Sequence, residues 1–250
     1  MTLNPIEPER KSKAVRIILS IVLSLLGILT AIFLALFVYY LWQIKYGAPE
    51  KLARDFRKFE SGKFTLIDGA NQAGPKITKD INSYVRKNNP TAGNPKGKIT
   101  ILAFIDFTCP YTQESYPIFN QVMEKYGSVA RIVIKHLPLI SINPEALGIA
   151  TAAGCAGTQQ KYFQYYDLLF KNLKFTRTDL NNYAIASNLD INKFTACVNN
   201  QINIDDIDTD TRDAIELGVR GTPTYFINQD IIEGSASLKT WDETIIRNLK

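Results

Sequence analysis

From Ile17 to Ile44 the chain runs 28 residues without a charge. A helix needs about 20 apolar residues to cross the hydrocarbon core of a bilayer. At about 1.5 Å per residue this stretch reaches about 42 Å, so it spans with tilt or with an interfacial overhang. Tyr39, Tyr40 and Trp42 lie at one end, where interfacial aromatics gather. A cleaved signal peptide is the alternative. Its apolar core is shorter and ends at small residues, whereas this one ends Phe37-Val38-Tyr39-Tyr40-Leu41-Trp42. The sequence therefore predicts a tail at residues 1–16, an uncleaved transmembrane anchor at 17–44 in contact with lipid, and one ordinary domain after it.

The charge distribution agrees. Residues 1–58 hold 9 Lys/Arg against 4 Asp/Glu, and the remainder holds 20 of each, 29 − 9 and 24 − 4. The excess sits beside the apolar stretch, which argues for a membrane surface as partner of the basic residues. The body carries no basic-aromatic patch, so nucleic acid is not expected as a partner. Basic residues flank the apolar run on both sides, from Arg10 to Arg16 and from Lys45 to Lys58, so charge alone does not set its orientation. Residues 45–92 read as a juxtamembrane and linker segment. Pro49 to Phe59 within it has helical spacing of Leu52, Phe56 and Phe59. Loop signals follow at Asp68 to Pro75 and Asn88 to Gly97, and Ile77 to Arg86 suits either a strand or a short helix.

The chemistry concentrates at Phe107-Thr108-Cys109-Pro110-Tyr111-Thr112. The nearly continuous apolar run from Lys98 to Asp106 suits a buried central strand. Gln113 to Tyr126, with Tyr116, Phe119, Val122 and Met123, has helical spacing. A Cys at such a junction sits where helical N–H groups are unpaired and the helix dipole is positive, a setting that favours the nucleophilic thiolate. Pro110 fits the first helical position, where its missing N–H costs nothing. One turn on, where a dithiol enzyme carries its second thiol, stands Thr112.

Further along, Ala130 to Leu137 reads as a strand, and Pro144 to Lys174 as helix interrupted at Gly154 and Gly157. Asp179 to Ser187, Ile191 to Asn199 and Ile204 to Gly218 read as helices. Thr224 to Ile227 reads as a strand with Ile231-Ile232 as its hairpin partner, and Leu238 to Leu249 as a closing helix. This order is an α/β pattern with helices inserted in the middle.

From about Gly93 to Lys250 the chain resembles the thioredoxin-fold, DsbA-like thiol–disulfide oxidoreductases. Asp106-Phe107-Thr108-Cys109-Pro110-Tyr111 is similar to that family's active-site entry. Val219-Arg220-Gly221-Thr222-Pro223-Thr224 is similar to its cis-proline loop, and the block between them to its inserted helical domain. The resemblance implies a thioredoxin fold at residues 93–250 with a helical insertion at about 140–200. It implies a cis Pro223 beside Cys109 and a Thr222 backbone that meets an extended substrate. Cys155 and Cys197 are either free buried thiols or a pair, and the resemblance favours the pair. That bond would close a loop worth about 4 kcal/mol and requires an oxidising compartment. The domain is then expected outside the cytoplasm, on a single-pass cell-membrane protein.

Thr112 departs from the family pattern. A hydroxyl cannot resolve a mixed disulfide, though it can hydrogen-bond a thiolate. The expected function is therefore thiol–disulfide exchange or isomerisation of substrate proteins through Cys109 alone, recycled by a small thiol or a membrane redox partner. The alternative is a redox-inactive scaffold that binds a peptide. No cofactor is expected, and no metal. His136, the single histidine, reads as structural. The run Asp205, Asp206, Asp208, Asp210, Asp213 lacks the Gly and terminal Glu of a calcium loop and reads as the first turns and solvent face of a helix.

Overall fold

The structure, a computed structural model, describes residues 9–42 and 79–250. The helix read at 49–59 and the loop at 68–75 lie outside the described residues. The chain divides into two units, Met1–Leu52 and Ala53–Lys250.

Among the described residues, the first unit holds one helix, α1 (Glu9–Trp42). Its apolar portion, Leu19–Tyr39, is 21 residues long, about 32 Å of rise and so matched to a bilayer core. Thr30, a polar residue in that stretch, donates its hydroxyl back to the carbonyls of Leu26 (2.8 Å) and Gly27 (2.9 Å). Its hydroxyl hydrogen is thus satisfied within the helix.

The second unit is built on a five-stranded sheet of order β1-β3-β2-β4-β5. The strands are β1 (Thr91–Gly93), β2 (Ile99–Ile105), β3 (Ala130–His136), β4 (Thr224–Ile227) and β5 (Asp230–Glu233). β2 pairs parallel with β3, and the other pairings are antiparallel. All seven residues of β2 are buried, since both faces of the central strand are covered. A short 3-10 helix at Ile81–Tyr84 settles the strand-or-helix alternative for that segment. β1 falls inside the stretch read as a loop. It is three residues long with a Gly, and exists because β3 offers it an edge to pair with, a tertiary cause with no local signal.

The helix α2 (Pro110–Tyr126) connects β2 to β3. Its Phe119 packs 4.8 Å from the Tyr225 ring and 5.6 Å from Trp241, joining α2 to β4 and to α8 (Leu238–Leu249). Between β3 and β4 lie α3 (Ala146–Gly157), α4 (Tyr162–Asn172), α5 (Arg177–Ala186), α6 (Ile191–Asn199) and α7 (Ile204–Glu216). Gly154 does not break α3. A Cβ there would meet the Asn203 side chain at 1.8 Å, so the glycine makes room for a neighbour. Cys155 of α3 and Cys197 of α6 are joined by a disulfide. Gly218, at φ +71, closes α7 in the left-handed conformation and turns the chain toward Thr222.

The aspartate run is corrected by the structure. Asp205 and Asp206 lie in the first turn of α7, but Asp210 and Asp213 point inward and are buried. Both bond Lys135 of β3, at 2.8 and 2.6 Å, and Lys135 is itself 0% exposed. Asp210 also accepts from Asn89 (3.0 Å) and the His136 N–H (2.9 Å), and Asp213 from Arg86 (2.8 Å). A helix-face reading of the sequence could not see a cation arriving from β3.

Candidate functional site

Cys109 is the N-cap of α2, with extended backbone (φ −73, ψ 122), and Pro110 follows inside the first turn. Its carbonyl accepts from Gln113 N–H at 3.0 Å, and its own N–H donates to the Asp106 carbonyl at 3.2 Å. The Gln113 side chain reaches back to the Phe107 carbonyl at 2.8 Å. The thiol is partly exposed. It stands at the end of α2 where backbone N–H groups lack helical partners and the dipole is positive.

The second wall comes from the loop before β4. The Thr222–Pro223 peptide bond is cis, and the Cys109 thiol donates to the Thr222 carbonyl at 3.1 Å. The loop is fastened on both sides. Gly234 N–H donates to the Pro223 carbonyl at 2.8 Å, and Thr224 Oγ1 to the Gly221 carbonyl at 2.7 Å. Arg220 pairs with Glu233 of β5. Cys109, Pro110, Tyr111 and Thr112 are thus on one side, and Thr222 and Pro223 on the other.

Thr112 occupies the buried position one turn into α2 and is 2% exposed. Its hydroxyl has no hydrogen-bond partner among the described residues. Thr112 thus makes no hydrogen bond to the Cys109 sulfur. The Thr222 hydroxyl, on a residue 6% exposed, is likewise unpartnered. Thr151 and Ser187, outside this site, carry unpartnered buried hydroxyls too, so this feature does not single the place out. Beneath Thr112 and Thr222, Ser115 donates to the Thr112 carbonyl at 3.0 Å, and the Tyr225 hydroxyl lies 2.7 Å from Ser115 Oγ. Burial pushes the Tyr225 hydroxyl up, with the neighbouring Cys109 adding to the rise, so it stays a neutral O–H.

Sequence reasoning did not assign roles to Asp106, Ser115 and Tyr225. Asp106, within the entry motif, is buried and accepts from Thr108 N–H and Thr108 Oγ1, both at 2.8 Å, and from Leu139 N–H at 2.8 Å. Burial raises its carboxyl above the ordinary range, while those three bonds pull it back down. His136 lies in the aromatic cluster below Phe107, its ring nitrogen 2.8 Å from the Tyr162 hydroxyl. Burial first, then Lys135, lowers it to about 4, so it is neutral at physiological pH and serves packing.

A parallel β2/β3 pair, antiparallel β4 and β5, a thiol at the N-terminus of the first helix and a cis proline facing it form one constellation. Residues 86–247 match the thioredoxin family. The chain belongs to the thioredoxin family. At the helix N-terminus stands Cys109, with Thr112 one turn on. Its fold is similar to that of solved DsbA-like proteins. A thioredoxin-like oxidoreductase from Silicibacter pomeroyi shares 21% identity, covering 68% of this chain and 97% of that one, with a TM-score of 0.60. The thiol-disulfide exchange protein alpha-DsbA2 from Wolbachia pipientis shares 16%, covering 67% and 91%, also at 0.60.

Among curated proteins this thioredoxin is similar to the Na(+)/H(+) antiporter NhaA 3 of Salinispora tropica. They are 33% identical over 137 residues, which are 54% of this chain and 21% of the antiporter. The NhaA of Herminiimonas arsenicoxydans is 26% identical over 149 residues, 59% of this chain and 24% of that protein. The chain thus spans between a fifth and a quarter of the length of these two relatives.

Proposed function

We propose that this thioredoxin is a membrane-anchored thiol–disulfide exchange enzyme acting on protein disulfides through Cys109 alone. The observation that carries the reading is the Cys109 thiol at the N-terminus of α2, 3.1 Å from the Thr222 carbonyl. The loop gives an extended peptide a backbone to pair with beside that thiol.

The exchange runs in two balanced steps. The Cys109 thiolate attacks one sulfur of a substrate disulfide, forms a mixed disulfide and expels the other sulfur as a thiolate, which takes a proton from water. A second thiolate then attacks the mixed disulfide, takes the substrate sulfur and returns Cys109 as thiolate. When the second thiolate belongs to the substrate, the net result is isomerisation. When it is a small thiol or a membrane redox partner, the substrate leaves attached to that thiol. Thr112, with a hydroxyl in place of the second thiol, takes no electrons and resolves nothing.

In this reading Leu19–Tyr39 anchors the chain in the cell membrane and the domain works outside the cytoplasm. The Cys155–Cys197 bond supports an oxidising compartment. The antiporters that carry a similar stretch suggest a membrane protein as one class of neighbour. Protease added to intact spheroplasts tests the topology: the domain is digested if it lies outside, and full protection until lysis refutes the placement.

Thr112 also favours a second reading, a redox-inactive scaffold whose groove holds a peptide. Adduct formation separates them. The enzyme forms a mixed disulfide at Cys109 with a short peptide disulfide, and the scaffold forms none.

A further inference from the structure

We propose that Asp106 is a positioning residue for the exchange: its carboxylate holds the turn that delivers Cys109 and ties that turn to the loop after β3. The inference rests on the exchange reading above. Only four residues, Asp106 to Cys109, separate the end of β2 from the start of α2, so the thiol's place depends on how sharply the chain turns there.

Asp106 determines that turn with both carboxylate oxygens. Oδ1 accepts from Thr108 N–H and from Thr108 Oγ1, each at 2.8 Å. Oδ2 accepts from Leu139 N–H at 2.8 Å, 33 residues away. Its backbone carbonyl accepts from Cys109 N–H at 3.2 Å. The segment after β3 is drawn onto the same end of the sheet by Leu137 N–H, which donates to the Ile105 carbonyl at 2.8 Å. Asp106 is 3% exposed. Three donors converge on it, with no cation among its hydrogen-bond partners in the described residues. Two oxygens that both accept are what this arrangement requires, and only a carboxylate supplies them.

The consequence is kinetic. Attack on a disulfide needs the sulfur aligned with the bond it breaks, and a misplacement near 1 Å costs about a hundredfold. The isosteric variant Asp106→Asn keeps the shape but turns an N–H₂ toward one set of donors. That mismatch frees either the Thr108 turn or the Leu139 loop while the peptide groove at Thr222 stays as it was.

The test uses the full chain in detergent and a short peptide disulfide with a chromophoric leaving thiol, at a temperature where every variant is folded. For Asp106→Asn the attack rate at saturating peptide is expected to fall about tenfold, with KM changed less than about twofold. Amide exchange at Thr108 or Leu139 should speed up. Thr108→Val, which removes a single donor, should lose about threefold, and it carries the test if Asp106→Asn does not fold. A purely structural role would lower the melting temperature and leave the attack rate of folded molecules alone. Attack at the wild-type rate, or unchanged protection at both amides, overturns the proposal. Failure of the exchange reading is seen on the wild-type chain itself, which then forms no adduct, and the proposal falls with it.

Discussion

Two buried polar regions of the domain are built on opposite terms. Along the seam between β3 and α7, Lys135, Asp210, Asp213, Arg86 and Asn89 form a closed set. Each of the four carboxylate oxygens accepts at least one hydrogen bond. Around Cys109 the set is open. The Thr112 and Thr222 hydroxyls are buried and unpartnered, and the thiol is partly exposed. A closed network holds elements in register, and breaking it exposes a charge to a low dielectric. An open one costs stability and leaves donors and acceptors for a partner. The contrast is between a network that closes on itself and a site whose cysteine reaches the surface.

The largest break in this contrast is Lys135→Met. It leaves Asp210 and Asp213 buried together without their central cation and should cost about 3–5 kcal/mol at pH 7. The deficit should shrink at pH 5, because burial already raises Asp210 to about 6 and it takes a proton there. Urea midpoints measure both effects, and the attack rate of Cys109 per folded molecule should not change. A loss below about 1 kcal/mol would show that the seam is not a closed unit.

Replacing both Cys155 and Cys197 with Ala should cost about 2–4 kcal/mol, the range for a native disulfide. Non-reducing peptide mapping of the wild type should show that linkage with Cys109 free. A Cys109-containing bridge as the main species would overturn the division of roles.

At the open site the same kind of deletion should do little to stability. Thr112→Val removes a hydroxyl that bonds nothing, so unfolding should shift by less than about 1 kcal/mol, in either direction. Thr112→Cys should instead change chemistry, shortening the life of Cys109 adducts because a neighbouring thiol can resolve them. Adducts equally long-lived in that variant would mean that position 112 does not face the bond.

The smallest effect is a pH balance at the edge of the seam. His136 is held near 4 rather than 6.5, so its contribution is present above 6.5 and lost as the pH falls toward 4. Asp210, raised from 3.8 to about 6, contributes below 3.8 and loses this as the pH rises through 6. Between pH 4 and 6 the two oppose. His136→Phe leaves only the second, so acidification from 6 to 4 should stabilise the variant relative to wild type. Parallel pH curves would contradict this.

Much of the fold was legible because periodicity and punctuation agree with it. The all-buried β2, the amphipathic α2 and the closing helix from Leu238 to Leu249 follow from local pattern. The thioredoxin resemblance supplied the cis proline and the disulfide pairing, which no spacing rule gives. What stayed hidden depends on distant partners. β1 needs the edge of β3, and Gly154 needs Asn203. Asp210 and Asp213 need Lys135, 75 and 78 residues away. At the site, Cys109 and Thr112 could be read from the strand-to-helix junction. Asp106 stood in the same motif, but its role depends on Leu139, whose approach only the folded sheet provides.

The central claim is that one thiol at the N-terminus of α2 does the exchange. The direct measurement is to incubate the full chain with a short peptide disulfide, quench with acid and map the adducts by mass spectrometry without reduction. The account predicts a single persistent adduct on Cys109, absent in Cys109→Ser and released by added small thiol. No adduct on the wild-type chain, or an adduct only on Cys155 or Cys197, would contradict it.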